Sequence, residues 1–137
     1  MPRIALIHAL AHSPAPINAA LAAMWPEAVR MNLLDDSLSA DLARTGTLDA
    51  AMTARFVALA DYAVGTGADA ILFTCSAFGP CIDEVKRHHA ARPVLKPNEA
   101  MIDEAVALAA AGAIGLVASF APTLASMPSE FPPAMRL

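Results

Sequence analysis

Cys75 stands between two hydroxyl side chains in the run Ala70-Ile71-Leu72-Phe73-Thr74-Cys75-Ser76-Ala77-Phe78-Gly79-Pro80-Cys81. A thiolate is a nucleophile and a proton carrier, and hydroxyls beside the free N–H groups of a helix's first turn make a cradle for a carboxylate. The apolar run Ala70–Phe73 predicts a short buried strand, and Gly79-Pro80 predicts the opening of a helix. Cys75 therefore falls just beyond the carboxyl end of a strand, where open α/β sheets bind their ligands. The positive end of the following helix is expected to lower its pKa. A small buried hydrophobe is the other role such a residue fills, because free cysteines are among the most buried residue types. Residue types alone leave both roles open.

Further polar residues fall at the ends of other predicted strands. His8 ends the apolar run that begins at Arg3, and His12 and Ser13 follow in a loop punctuated by Pro14 and Pro16. Ser13 faces Cys75 across a crevice if their two strands are neighbours in the sheet. His8, His12 and Ser13 are candidate substrate contacts, with Asn98 at the polar exit Lys96-Pro97-Asn98-Glu99 of a strand at Pro93–Leu95. Ser119-Phe120-Ala121-Pro122-Thr123 repeats the order of small polar residue, proline and helix found after Phe73, which argues for a second anion-contacting loop. Cys81 reads as core packing. Glu99 sits in a first helical turn, where an acidic residue is expected for dipole reasons alone.

The elements that must position these groups alternate. Strands are expected at Arg3–His8, Glu27–Leu33, Ala70–Phe73, Pro93–Leu95 and Ala113–Ala118. Helices are expected from Ile17 to Met24, from Asp49 to Val64, from Gly79, from Pro97 to Ala111 and from Pro122 to Ser129, with only an irregular turn between Asp41 and Thr47. This order gives an α/β fold, a parallel sheet flanked by helices in a Rossmann-like or flavodoxin-like lobe.

With 137 residues, 57% of them hydrophobic, the chain suits one domain with a substantial core. No uninterrupted apolar stretch reaches transmembrane length, and the short apolar start reads as a strand, so a cytoplasmic placement is expected. The net charge of −4 and the lack of a basic cluster beyond Lys86-Arg87-His88-His89 argue against nucleic acid. Two cysteines six residues apart across one turn suit neither a disulfide nor a zinc site. No Gly-rich phosphate loop follows the first strand. No metal or cofactor is expected.

Ile71–Gly79, Pro97-Asn98-Glu99-Ala100-Met101 and Ile114–Leu124 together resemble the aspartate/glutamate/hydantoin racemase superfamily, which includes arylmalonate decarboxylase and maleate isomerase. The resemblance implies cofactor-independent chemistry at a carbon next to a carboxylate, between two α/β lobes that each contribute a cysteine in the racemases. Cys75 corresponds to the first-lobe cysteine, acting as base or nucleophile. Thr74, Ser76 and Thr123 match carboxylate-binding positions. His8, His12 and Ser13 stand where the family has an Asp-Ser pair. On this resemblance residues 1–112 form the first lobe, and residues 113–137 begin a second lobe that is cut short. The expected partners are a small carboxylate and a second copy of the chain, in a homodimer or one that exchanges Ala113–Leu137. The alternative is a non-catalytic racemase-like half that binds a small carboxylate or only associates with a partner.

Overall fold

Five consecutive residues of the first strand, β1 (Arg3–His8), are buried, from Ile4 through His8. A strand without polar alternation is covered on both faces, so β1 belongs in the middle of a sheet. The computed structural model describes all 137 residues and places it there. The strands β1, β2 (Val29–Leu34), β3 (Ala70–Phe73) and β4 (Val94–Leu95) form one sheet in the order β2-β1-β3-β4, parallel at every pairing. Arg3 pairs with Val29, Ile4 with Ala70, and Ile71 with Val94. The fold is α/β, as its alternating elements imply.

Helix α1 (Pro14–Met24) joins β1 to β2, α2 (Ser37–Thr45) and α3 (Ala50–Gly65) lead to β3, and α4 (Gly79–His88) joins β3 to β4. The main core lies on the α2–α3–α4 side, where Ala5, Ile7, Ile71, Phe73 and Val94 meet Leu38, Phe56 and Ile82. Ile4 and Leu6 point to the other face, against Ile17 and Leu21 of α1. Asp49 caps α3, accepting from the Met52 N–H at 2.8 Å, and Met52, Phe56, Ala60 and Ala63 form its buried stripe. From β1 the chain crosses to β2 on one side, and from β3 to β4 on the other. The crevice beyond β1 and β3 is therefore the topological switch point of the sheet.

Only α1 covers its face, which leaves Leu72 half-buried and its register neighbour Leu95 exposed. Helices α5 (Glu99–Ala109) and α6 (Ala121–Ser126), followed by a short 3-10 turn at Met127–Glu130, pack instead on a separate cluster of Ile102, Met127 and Phe131. No helix of the chain is long and apolar enough to cross a membrane.

Three expectations are corrected. Ala113–Ala118 is not a strand: its only ladder contact is a single bridge from Ala113 to Arg136. A fifth strand needs a neighbour to pair with, and β4 is two residues long; Ile114 and Leu116 pack on the small cluster instead. The irregular stretch after β2 is a full helix, α2, because Leu38 and Leu42 bury one face at i, i+4 spacing. Helix α1 begins three residues earlier than expected, with Pro14 in its first turn, where a missing N–H costs nothing.

Candidate active site

Strand alternation decides where each polar group at the end of β3 points. Thr74 continues toward the α1 face. Its N–H donates to the Ile7 carbonyl at 3.1 Å, and its Oγ1 lies 2.7 Å from His8 Nδ1. Cys75 is extended (φ −107°, ψ 125°), which turns its side chain back toward the main core, beside Leu38, Phe56 and Phe73. Ser76–Phe78 then form one 3-10 turn before α4 begins at Gly79. Phe78 anchors that turn, fully buried with its ring centroid 4.8 Å from that of Phe56.

A cleft of about 380 Å³ opens over this turn, and Ser13, Thr74, Cys75, Ser76, Asn98 and Thr123 all line it. With His12, seven of the eight expected site residues thus converge, carried by four separate segments of the chain. The two turns of similar composition meet here: Ser76 Oγ and Thr123 Oγ1 lie 3.0 Å apart, and the Ser126 hydroxyl donates to the Ser76 carbonyl at 3.4 Å. Asn98 is nine-tenths buried, and its Nδ2 has no hydrogen-bond partner. His12 and Ser119 complete the polar lining, while Val117, almost wholly exposed, and Met101 stand on an open rim. No lysine, arginine or carboxylate lines the cleft, so an anion here would be held by hydroxyls, an amide and backbone N–H groups.

His8 does not join them. Even positions of β1 face α1, so its ring is fully buried, with Nδ1 on Thr74 and Nε2 2.8 Å from Asn32 Oδ1. Asn18 of α1 donates to the same Asn32 oxygen at 2.8 Å. His8 therefore fixes Thr74 from behind rather than meeting a ligand.

The expected low pKa of Cys75 is also corrected. Burial pushes the thiol above its ordinary value, and the lowering effects of the Ala77 N–H and the Ser39 hydroxyl do not offset it. Cys75 is only 7% exposed, and the 3-10 turn separates it from the first turn of α4, so the helix end acts on it weakly. Ser39 was not identifiable from sequence, since the helix carrying it was not. Its Oγ is buried beside the thiol. The signal available was the Leu38, Leu42 spacing.

Cys81 is fully buried, with Sγ 3.5 Å from Thr53 Oγ1, in keeping with core packing. Glu99 forms an ion pair with Lys86 and does not reach the cleft. Glu130, half-buried beside Gly79, has its carboxyl pushed up by burial, opposed by the charge of Lys96. A neighbouring groove of about 410 Å³, formed by Ile17, Ala20, Leu72 and Pro97, marks the uncovered sheet face; its few polar residues, His12, Ser13 and Thr74, are shared with the cleft. No family model matches the chain, and no curated protein sequence matches it.

Proposed function

We propose that the cleft binds a small carboxylate and that Cys75 moves a proton at the carbon beside it, an isomerase chemistry of the racemase type that uses no cofactor. The observation that supports this most is the convergence of Ser13, Thr74, Ser76, Asn98 and Thr123 with Cys75 around one cleft at the switch point of the sheet. An α-proton is a weak acid, so its removal needs a positioned base and stabilisation of the enediolate that forms. In the forward step the C–H bond breaks, the Cys75 thiolate gains the proton, and the electron pair moves onto the carboxylate held by the hydroxyls. In the return step the S–H bond breaks and the proton goes back to carbon.

Because the thiol pKa is raised, the protonated form predominates at neutral pH, and proton donation is the easier half of this cycle. Racemisation also needs a group on the opposite face of the carbon. A second copy of the chain, seated on the open rim at Met101 and Val117, supplies it in this reading.

Aspartate, glutamate, maleate and an aryl malonate, each incubated in D₂O and followed by proton NMR, test the proposal. One of them is expected to incorporate deuterium, isomerise or lose carbon dioxide with the wild type, and to remain unchanged with Cys75→Ser. Activity that survives Cys75→Ser would overturn the role of the thiol. Burial of Cys75 specifically favours a second reading, a half that binds a carboxylate without turning it over. Saturable binding with no turnover at any protein concentration would establish that reading in place of the first.

A further inference from the structure

At the far end of α4 from the cleft, two imidazoles and a carboxylate converge on the seam between α3 and α4. Cys81, Ile82 and Val85 bury one face of α4 in the core that also holds Phe56, Ala60 and Ala63 of α3. That packing brings Asp61, next to Ala60, against His88 and His89 at the last turn of α4. His89 Nε2 lies 2.7 Å from Asp61 Oδ1, and His88 Nε2 lies 4.0 Å from the same oxygen. All three donor atoms fall within 4.8 Å of one another, and the two rings stand nearly edge to face at 69°.

We propose that Asp61, His88 and His89 bind a divalent transition-metal ion, with zinc the best match to two imidazole nitrogens and one carboxylate. Bonds of about 2 Å in a tetrahedral site put ligand atoms roughly 3.3 Å apart. Asp61 and His88 must close by less than about 1 Å to reach that, the two imidazole nitrogens, which lie within 4.8 Å of each other, by up to about 1.5 Å, and the Asp61–His89 hydrogen bond opens to admit the ion. His88 and Asp61 are each about half exposed, with side chains 55% and 51% accessible, so both are free to make the adjustment.

The surrounding charges permit a cation. Lys86 is paired with Glu99, and Arg87 with Glu84 at 3.0 Å from its Nε. The carboxyl end of α4 itself favours positive charge. Glu84, one turn before His88, lines the same surface groove as Asp61 and His88, but its carboxylate is held by Arg87, so the fourth position is left to water. Imidazole donors exclude magnesium and calcium as the preferred ions. The bound ion would tie the last turn of α4 to α3, well away from Cys75.

The test is calorimetric titration of the tag-free full chain with zinc, repeated for His88→Ala and Asp61→Asn. Circular dichroism confirms that each variant folds, which their exposed positions allow. The wild type is expected to bind one zinc ion and to melt at a higher temperature when loaded. Each variant is expected to lose at least about tenfold in affinity and to lose the rise in melting temperature. Magnesium at the same concentration is expected to do neither. Absence of saturable binding to the wild type, or zinc binding that survives both substitutions and so resides on the thiols or elsewhere, overturns the proposal.

Discussion

Alkylation of Cys75 as a function of pH, in a Cys81→Ala background, measures the balance between burial and the local hydrogen bonds around the thiol. Its ordinary pKa is 9.0, and burial raises it. At pH 7 it is then at least two units from ionisation, so fewer than about one molecule in a hundred carries the thiolate. The iodoacetamide rate should climb about tenfold per pH unit through pH 9 without reaching a plateau. The absolute rate should be lower still, because only 7% of the residue is accessible. The same shift has a stability consequence whose sign is fixed. The folded state holds this proton longer than the unfolded chain, so the contribution is fully present below the ordinary thiol value and is lost as pH rises through the higher folded value. Urea unfolding in the same Cys81→Ala background, which removes the second raised thiol, should therefore show a loss of stability setting in near pH 9, and adding Cys75→Ala should flatten it. A small carboxylate that fills the cleft should slow alkylation at every pH. A rate plateau below pH 8 would refute the reasoning, because it would mean that the Ala77 N–H and the Ser39 hydroxyl outweigh burial.

Other consequences can be read from the same contacts. Ser76→Ala, Thr123→Val and the double variant, compared by urea unfolding, should give a coupling of about 1 kcal/mol for the hydroxyl pair 3.0 Å apart; zero coupling would mean the pair does not tie the two turns. His8→Ala should cost about 3 kcal/mol, since it leaves a cavity and strips partners from Thr74 and Asn32; a loss below 1 kcal/mol would contradict the buried network. Glu130 has a raised folded pKa, so its contribution is present below 4.5 and is lost as pH rises through the folded value. Glu130→Gln should accordingly be more stable than wild type by about 1 kcal/mol at pH 7, with the gap closing near pH 4 in thermal melts. Ala110, at φ 50° and ψ −111°, occupies backbone space natural to glycine. Ala110→Gly should raise stability by roughly 0.5 kcal/mol after the entropy it adds to the unfolded chain is subtracted.

What could be read from the sequence was whatever a local pattern determines. The buried run at Ile4–His8, the stripe of Met52, Phe56 and Ala60, and the strand at Ala70–Phe73 each carry their own periodicity, and each forms where expected. Ala113–Ala118 carries an equally apolar pattern and fails, because pairing depends on an edge that the two residues of β4 do not provide. The composition of the site was legible in the same way, since strand ends and prolines mark the loops at the switch point. Orientation was not. Whether a strand-end side chain faces a cleft or the core depends on the phase of the pleat, which placed His8 behind Thr74 and turned Cys75 toward Leu38. The thiol pKa followed from that phase rather than from the neighbouring residue types.

The division of apolar packing into a main core and the small cluster of Ile102, Met127 and Phe131 splits the cleft between two cooperative units. Thr74, Cys75 and Ser76 extend from β3, whose amides should open only with global unfolding. Thr123 and Met127 belong to a unit joined to it by the Ser76–Thr123 hydroxyls, the Ser126 hydroxyl on the Ser76 carbonyl, the packing of α6 on the Ser76–Phe78 turn and Phe120 against the main core. Residues 121–130 are therefore expected to open at lower free energy than β3, which hydrogen exchange would show as faster exchange of their amides. A ligand that bridges both walls would add its binding free energy to that weaker join first, so occupancy would register as slowed opening of α6 before any change in the core.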